Sequence, residues 1–327
     1  MKVLLTGANG FVGSHILDRL RAQGVAVALL LRATSNTRFI EAHLPRVQVH
    51  YGSLSDRDSI RRAARDATHV IHCAGKTKVL CPGELTEANR LGTRNLVEGA
   101  CAPGTGVRRL LHVSSLAASH PATPDAPARE DDPQAPISLY GRSKLEGEIE
   151  VREHCACEFT ILRPPAVYGP RDADFLTAFR AVRHHVIPLV RGGRQPLSLI
   201  YAEDLAEAAV QCLTSPAAAG RTYNVASPEV ATAGEVLRQA ARALHAWAVP
   251  APVPVPLLRL LATVQEGLSR LSGRANILNR DKVRELSAPG WVCDTSRLRN
   301  EVGFVARTPL AEGLAVTMDW YRTAGWL

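Results

Sequence analysis

The sequence predicts an α/β protein: a doubly wound parallel sheet with a smaller lobe drawn from the C-terminal half. Three observations predict it. Short apolar runs alternate with amphipathic, helix-length segments through residue 165. The first run leads into a glycine turn, Gly7-Ala-Asn-Gly10-Phe-Val-Gly13, which opens a helical pattern. A tyrosine and a lysine stand four apart in Tyr140-Gly-Arg-Ser-Lys144, after a strand-like run that ends in two serines.

Residues 2–6 (Lys-Val-Leu-Leu-Thr) suit a strand buried on both faces. The helix after the turn carries Ile16, Leu17 and Leu20 at helical spacing and ends near Gly24. Strand, glycine turn and helix in that order make a dinucleotide fingerprint of a Rossmann-type sheet. Gly7 permits the tight turn, Gly10 lets the backbone approach a pyrophosphate, and Gly13 lets the helix pack closely on the strand. Asn9, Phe11 and Val12 complete the loop, whose helix N-terminus offers free N–H groups to phosphates.

The second strand, Val25–Leu31, ends in Leu31-Arg32-Ala-Thr-Ser35-Asn36, with no Asp or Glu at its tip. An acid there would take the adenosine ribose hydroxyls; an Arg accommodates a 2′-phosphate. Arg32, with Ser35 and Arg38 in reach along the chain, therefore favours NADP(H), with NAD(H) as the alternative. A third strand, 47–51, leads to Gly52-Ser53-Leu54, and a fourth, 69–73, ends in Ala74-Gly75-Lys76, small enough for a cofactor to pass closely. A fifth, 109–113, ends in Ser114-Ser115. Tyr140 and Lys144 share a helix face, and an ammonium beside a phenol favours the phenolate and eases acid/base work. The strand Glu158–Arg163 then runs into Pro164-Pro-Ala-Val167.

The spacing Gly7-x-x-Gly10-x-x-Gly13, with the Tyr/Lys pair and the Arg163-Pro-Pro-Ala-Val-Tyr-Gly-Pro170 segment, resembles the extended short-chain dehydrogenases/reductases of the epimerase/dehydratase superfamily nearly end to end. The resemblance implies that Tyr140 exchanges a proton with the substrate oxygen and that Lys144 binds the nicotinamide ribose and tunes Tyr140. Ser115 would hold the substrate oxygen, with Ser114 in reserve, because Leu116 stands where many relatives carry a third Ser or Thr. Asn89 matches a position that supports the active site. Ser53 and Leu54 fall at the adenine contact, Ser53 replacing the usual Asp. Pro164 and Val167 would meet the carboxamide. Arg171 has two readings, substrate contact or surface charge. The resemblance also implies a homodimer through helices near 86–101 and 138–154. It divides the chain into a dinucleotide-binding domain, 1–165 with 198–226 returning to it, and a substrate lobe, 166–197 and 227–327.

Composition excludes several function classes. Net charge is +8 and the pI about 9.4, yet the basic residues are scattered or interleaved with acids, so no nucleic-acid partner is expected. No run reaches the ~18 apolar residues of a membrane span. Lys2 opens a strand that the glycine loop needs, which argues against a signal peptide and for a cytoplasmic protein. Seven cysteines without zinc-type spacing read as free thiols. His154-Cys155-Ala-Cys157 falls at a helix-to-strand junction away from the motif residues, His184-His185 lacks a companion ligand pattern, and no metal is expected.

In the substrate half, Phe175–Val186 reads as a helix, and Thr232-Ala-Gly-Glu235 as a helix start. A helix at about 257–271 carries the apolar stripe Leu257, Leu260, Leu261, Val264 and Leu268. Packing against the core or as a lid is the expected use of that stripe; a membrane-surface or partner contact is the other. The partner expected at the site is a small molecule. The reaction is reduction of a carbonyl, or oxidation of the alcohol. The alternatives are a nucleotide-sugar epimerase or dehydratase with bound NAD, and a non-catalytic dinucleotide sensor or scaffold. Arg32, the Ser-Ser-Leu run, and Leu197 where epimerases often place a diphosphate-gripping Arg all favour the reductase; the last two rest on the resemblance.

Overall fold

A run of aliphatic residues buried on both faces sets the centre of the molecule. β1 (Lys2–Thr6) buries four of its five residues. α1 (Phe11–Ala22), β2 (Ala26–Leu31), β3 (Gln48–Tyr51), α2 (Arg57–Ala64) and β4 (His69–His72) follow in order. A wide π-type turn, Thr86–Leu91, leads into α3 (Gly92–Ala100). β5 (Arg109–Val113), α4 (Leu139–His154) and β6 (Glu158–Arg163) complete the alternating half. The computed structural model describes residues 1–102, 104–272 and 279–327.

The second half holds β7 (Ala166–Tyr168), α5 (Leu176–Arg183), β8 (Val186–Val190), β9 (Pro196–Tyr201), α6 (Ala202–Thr214), β10 (Arg221–Asn224) and β11 (Val230–Thr232). After them come α7 (Ala233–Ala243), β12 (Val249–Val253), α8 (Val255–Ser272), α9 (Arg280–Leu286), α10 (Ser296–Val302) and α11 (Leu310–Thr323).

The main sheet has seven parallel strands in the order β3-β2-β1-β4-β5-β6-β10. The chain reverses its direction of travel between β1 and β4, which opens a crevice at their carboxyl ends, where doubly wound sheets bind ligands. α1 and α6 cover one face with Ile16, Leu17, Leu20, Leu205 and Leu213. Ile60, Leu96, Val97 and Val151 from α2, α3 and α4 cover the other. A separate core built on Phe179, Leu237, Leu314, Met318 and Tyr321 forms the rest of the C-terminal half.

Three expectations shift. The helix expected over 175–186 stops at Arg183, because His185 takes φ 67° and the β-branched run from Val186 pairs in parallel with β12. β9 joins β7 and β11 in a small sheet, while the helix that follows it packs on α1 of the main domain. The α8 stripe does not pack inward. Leu258 and Ala262 turn to the core beside Val283 of α9, one face round from the stripe, so Leu257, Leu260, Leu261, Val264 and Leu268 stay exposed. The helix has two apolar faces, and the structure buries only one.

Candidate active site

The glycine turn forms a bare cradle at the crevice. Gly7 takes φ 75°, and a Cβ there would stand 2.6 Å from the Ala74 nitrogen at the end of β4. A Cβ on Gly13 would meet the Gly7 carbonyl oxygen at 2.0 Å, so no side chain fits between helix and loop. Gly10 is the N-cap of α1 and leaves the helix without a side-chain cap. The unpaired N–H groups therefore face the crevice, as a pyrophosphate requires. Asn9 clips the loop to the next segment, its Nδ2 donating to the Asn36 carbonyl at 3.3 Å. Phe11 and Val12 begin α1 and are half-buried.

At the tip of β2, Arg32 is exposed, and among the described residues it forms no ion pair. Its backbone N–H donates to the Ser35 hydroxyl at 3.2 Å, which shapes the turn around it. Arg38 is otherwise engaged: its guanidinium lies 4.4 Å from the Phe39 ring centre. Ser53 receives the Ser55 N–H at 3.2 Å, and Leu54 is held where Asn95 Nδ2 donates to its carbonyl at 2.9 Å.

Beyond β4, Asn89 holds the Ala74-Gly75-Lys76 segment. Its Oδ1 accepts the Lys76 N–H at 2.8 Å, and its Nδ2 donates to the Lys76 carbonyl and to Ser143 Oγ, each at 2.9 Å. A Cβ on Gly75 would lie 2.9 Å from that Oδ1 and 3.9 Å from Lys144 Nζ. The buried Lys144 donates to the Val113 carbonyl at 2.8 Å. Burial lowers its amine to about 8, opposed by Cys73 and Glu148. Burial also pushes the Tyr140 phenol up, against a hydrogen bond with Ser115. The phenol, hydroxyl and ammonium thus converge on the crevice from α4 and the end of β5. Pro164, buried, accepts the Leu116 N–H at 2.8 Å and so ties the segment after β6 to the one carrying Ser115. Val167 is half-buried against the main core.

The two serines separate by contact. Ser114 is buried and donates to Glu148 Oε1 at 2.6 Å, whereas Ser115 Oγ caps a short turn at the Ala117 N–H and meets Tyr140. Arg171 turns from the crevice and binds α1 through Asp18 at 2.7 Å and Ser14 at 3.0 Å.

Sequence reasoning missed the support beneath. Glu148 and Arg163 are both buried and form a two-bond pair, Nε to Oε1 at 2.8 Å and a terminal nitrogen to Oε2 at 2.6 Å. Burial would raise the Glu148 carboxyl, but the hydrogen bonds and charge of Arg163 outweigh it and hold it below its usual range. The signal in the sequence was Glu148, one turn beyond Lys144, and an arginine closing the otherwise apolar end of β6.

The family model for the NAD dependent epimerase/dehydratase family matches residues 3–226. The chain belongs to this family. Like the rest of the epimerase/dehydratase family, it is an enzyme of the extended short-chain dehydrogenase/reductase type, built for nicotinamide-dependent chemistry at CH–OH and C=O groups. It is 29% identical to a ceramide reductase of Caulobacter vibrioides, over 99% of this chain and 96% of the relative. It is 28% identical to a UDP-glucose 4-epimerase of Vibrio cholerae, over 98% and 96%. The structure of the Thermus thermophilus UDP-glucose 4-epimerase complex with NAD superposes with a TM-score of 0.78 at 27% identity, covering 99% of this chain and all of that one.

For this family member, Glu148→Ala leaves the Arg163 guanidinium buried without its partner. The expected loss is about 3–5 kcal/mol of unfolding free energy, measured by urea denaturation.

Proposed function

We propose that the protein is an NADP(H)-dependent carbonyl reductase whose Ser115, Tyr140 and Lys144 act on the substrate oxygen. The observation that carries the reading is Arg32: an exposed guanidinium at the tip of β2, with no carboxylate at that tip to receive a ribose 2′-hydroxyl. A 2′-phosphate there gains a charge-assisted partner. Gly7, Gly10 and Gly13 would hold the pyrophosphate, Ser53 and Leu54 the adenine side, and Ala74, Gly75 and Lys76 the stretch toward the nicotinamide. Pro164 and Val167 would face its carboxamide.

A reduced nicotinamide, when bound, would supply the hydride for the carbonyl carbon. Ser115 positions the carbonyl oxygen by hydrogen bonding, and Tyr140 gives that oxygen its proton. Burial keeps Tyr140 a phenol, which is the form a proton donor needs. Lys144 orients the ribose and, as an ammonium, favours the phenolate left behind, while Asn89 keeps the Gly75–Lys76 backbone in place as a positioning residue.

The epimerase reading draws support from the Vibrio and Thermus relatives. Against it, Leu197 sits in β9, at the position where an arginine would grip a diphosphate. The similarity to a ceramide reductase supports a substrate that carries apolar chain rather than a sugar nucleotide.

Two outcomes are expected. Tyr140→Phe lowers kcat for NADPH-dependent ketone reduction by about 10²–10⁴-fold while NADPH binding, followed by fluorescence titration, is kept; unchanged turnover would remove Tyr140 from the chemistry. Arg32→Asp weakens NADPH binding far more than NADH binding; equal effects, or NAD retained tightly through purification, would favour the epimerase.

A further inference from the structure

The geometry points to a soft-metal site formed by Cys101, Cys155 and Cys157. Cys101 ends α3, Cys155 ends α4 and Cys157 precedes β6, yet their sulfur atoms all lie within 4.8 Å of one another. Cys155 and Cys157 Sγ are 3.5 Å apart. Zinc–thiolate bonds of about 2.3 Å in a tetrahedron place sulfurs about 3.8 Å apart, so only small shifts bring three ligands into place. Cys101 is buried and the other two are half-buried, which leaves a side for the ion to enter and a fourth position for water. The expectation of no metal rested on the lack of zinc-type spacing along the chain; the fold brings Cys101 to the pair from 54 residues upstream of Cys155. Each thiol that ligates gives up its proton, so uptake releases protons and strengthens as pH rises.

The probe is Zn(II) added to the reduced, metal-free protein against a chromophoric chelator, with native mass spectrometry for stoichiometry. One equivalent is expected, with affinity reduced at least about 10-fold in Cys157→Ser and Cys155 protected from alkylation when Zn(II) is bound. Cd(II) should give a thiolate charge-transfer band that Cys157→Ser diminishes. No uptake, or equal uptake by the Cys101→Ser/Cys155→Ser/Cys157→Ser protein, would overturn the site.

Discussion

The Arg163–Glu148 pair is the interaction on which the site depends. It joins the end of β6 to the helix that bears Tyr140 and Lys144, and through Ser114 it reaches the end of β5. The ends of β5 and β6 and the helix α4 are thus held by one carboxylate. A buried ion pair is a poor source of net stability, since both ions lose their water. Its use here is positional. The guanidinium donates two hydrogen bonds to the one carboxylate, a fixed fork that ties the end of β6 to α4.

Above that pair the constraint is space. Gly7 and Gly13 admit no Cβ because the β1 loop, α1 and the end of β4 come together there. The same closeness aims an uncapped helix N-terminus into the crevice. Asn89 does for the β4 end what the ion pair does for α4, using both ends of its amide to fix one short backbone segment. The glycine loop, the end of β4 and the helix bearing Tyr140 and Lys144 are thus tied together, since Asn89 also donates to Ser143 of that helix.

The C-terminal half is organised differently. Its own core packs β7, β9 and β11 with α5, α7 and α11, while α8 and α9 make a small satellite cluster at the border. α9 meets both halves, through Asp281 to the Tyr140 helix and through the Glu285 carbonyl to Gln195 and Trp291.

Read as a string, the chain already determined its main sheet, because strands buried on both faces leave continuous apolar runs and glycine turns leave fixed spacings. The loop Gly7–Gly13 and the Tyr140/Lys144 pair were legible for the same reason: their geometry is local. Contacts between distant segments left no such trace. Glu148 reads as a helix-surface acid until the sheet places Arg163 against it. Ser114 and Ser115 are equivalent as neighbours in sequence, and the pleat turns one to Glu148 and the other to Tyr140. Cys101 gains two companions only when the ends of α3 and α4 meet. The α8 stripe has a helical period, but periodicity shows only that a helix has an apolar face. Which of two such faces turns inward is decided by what the tertiary structure packs beside it.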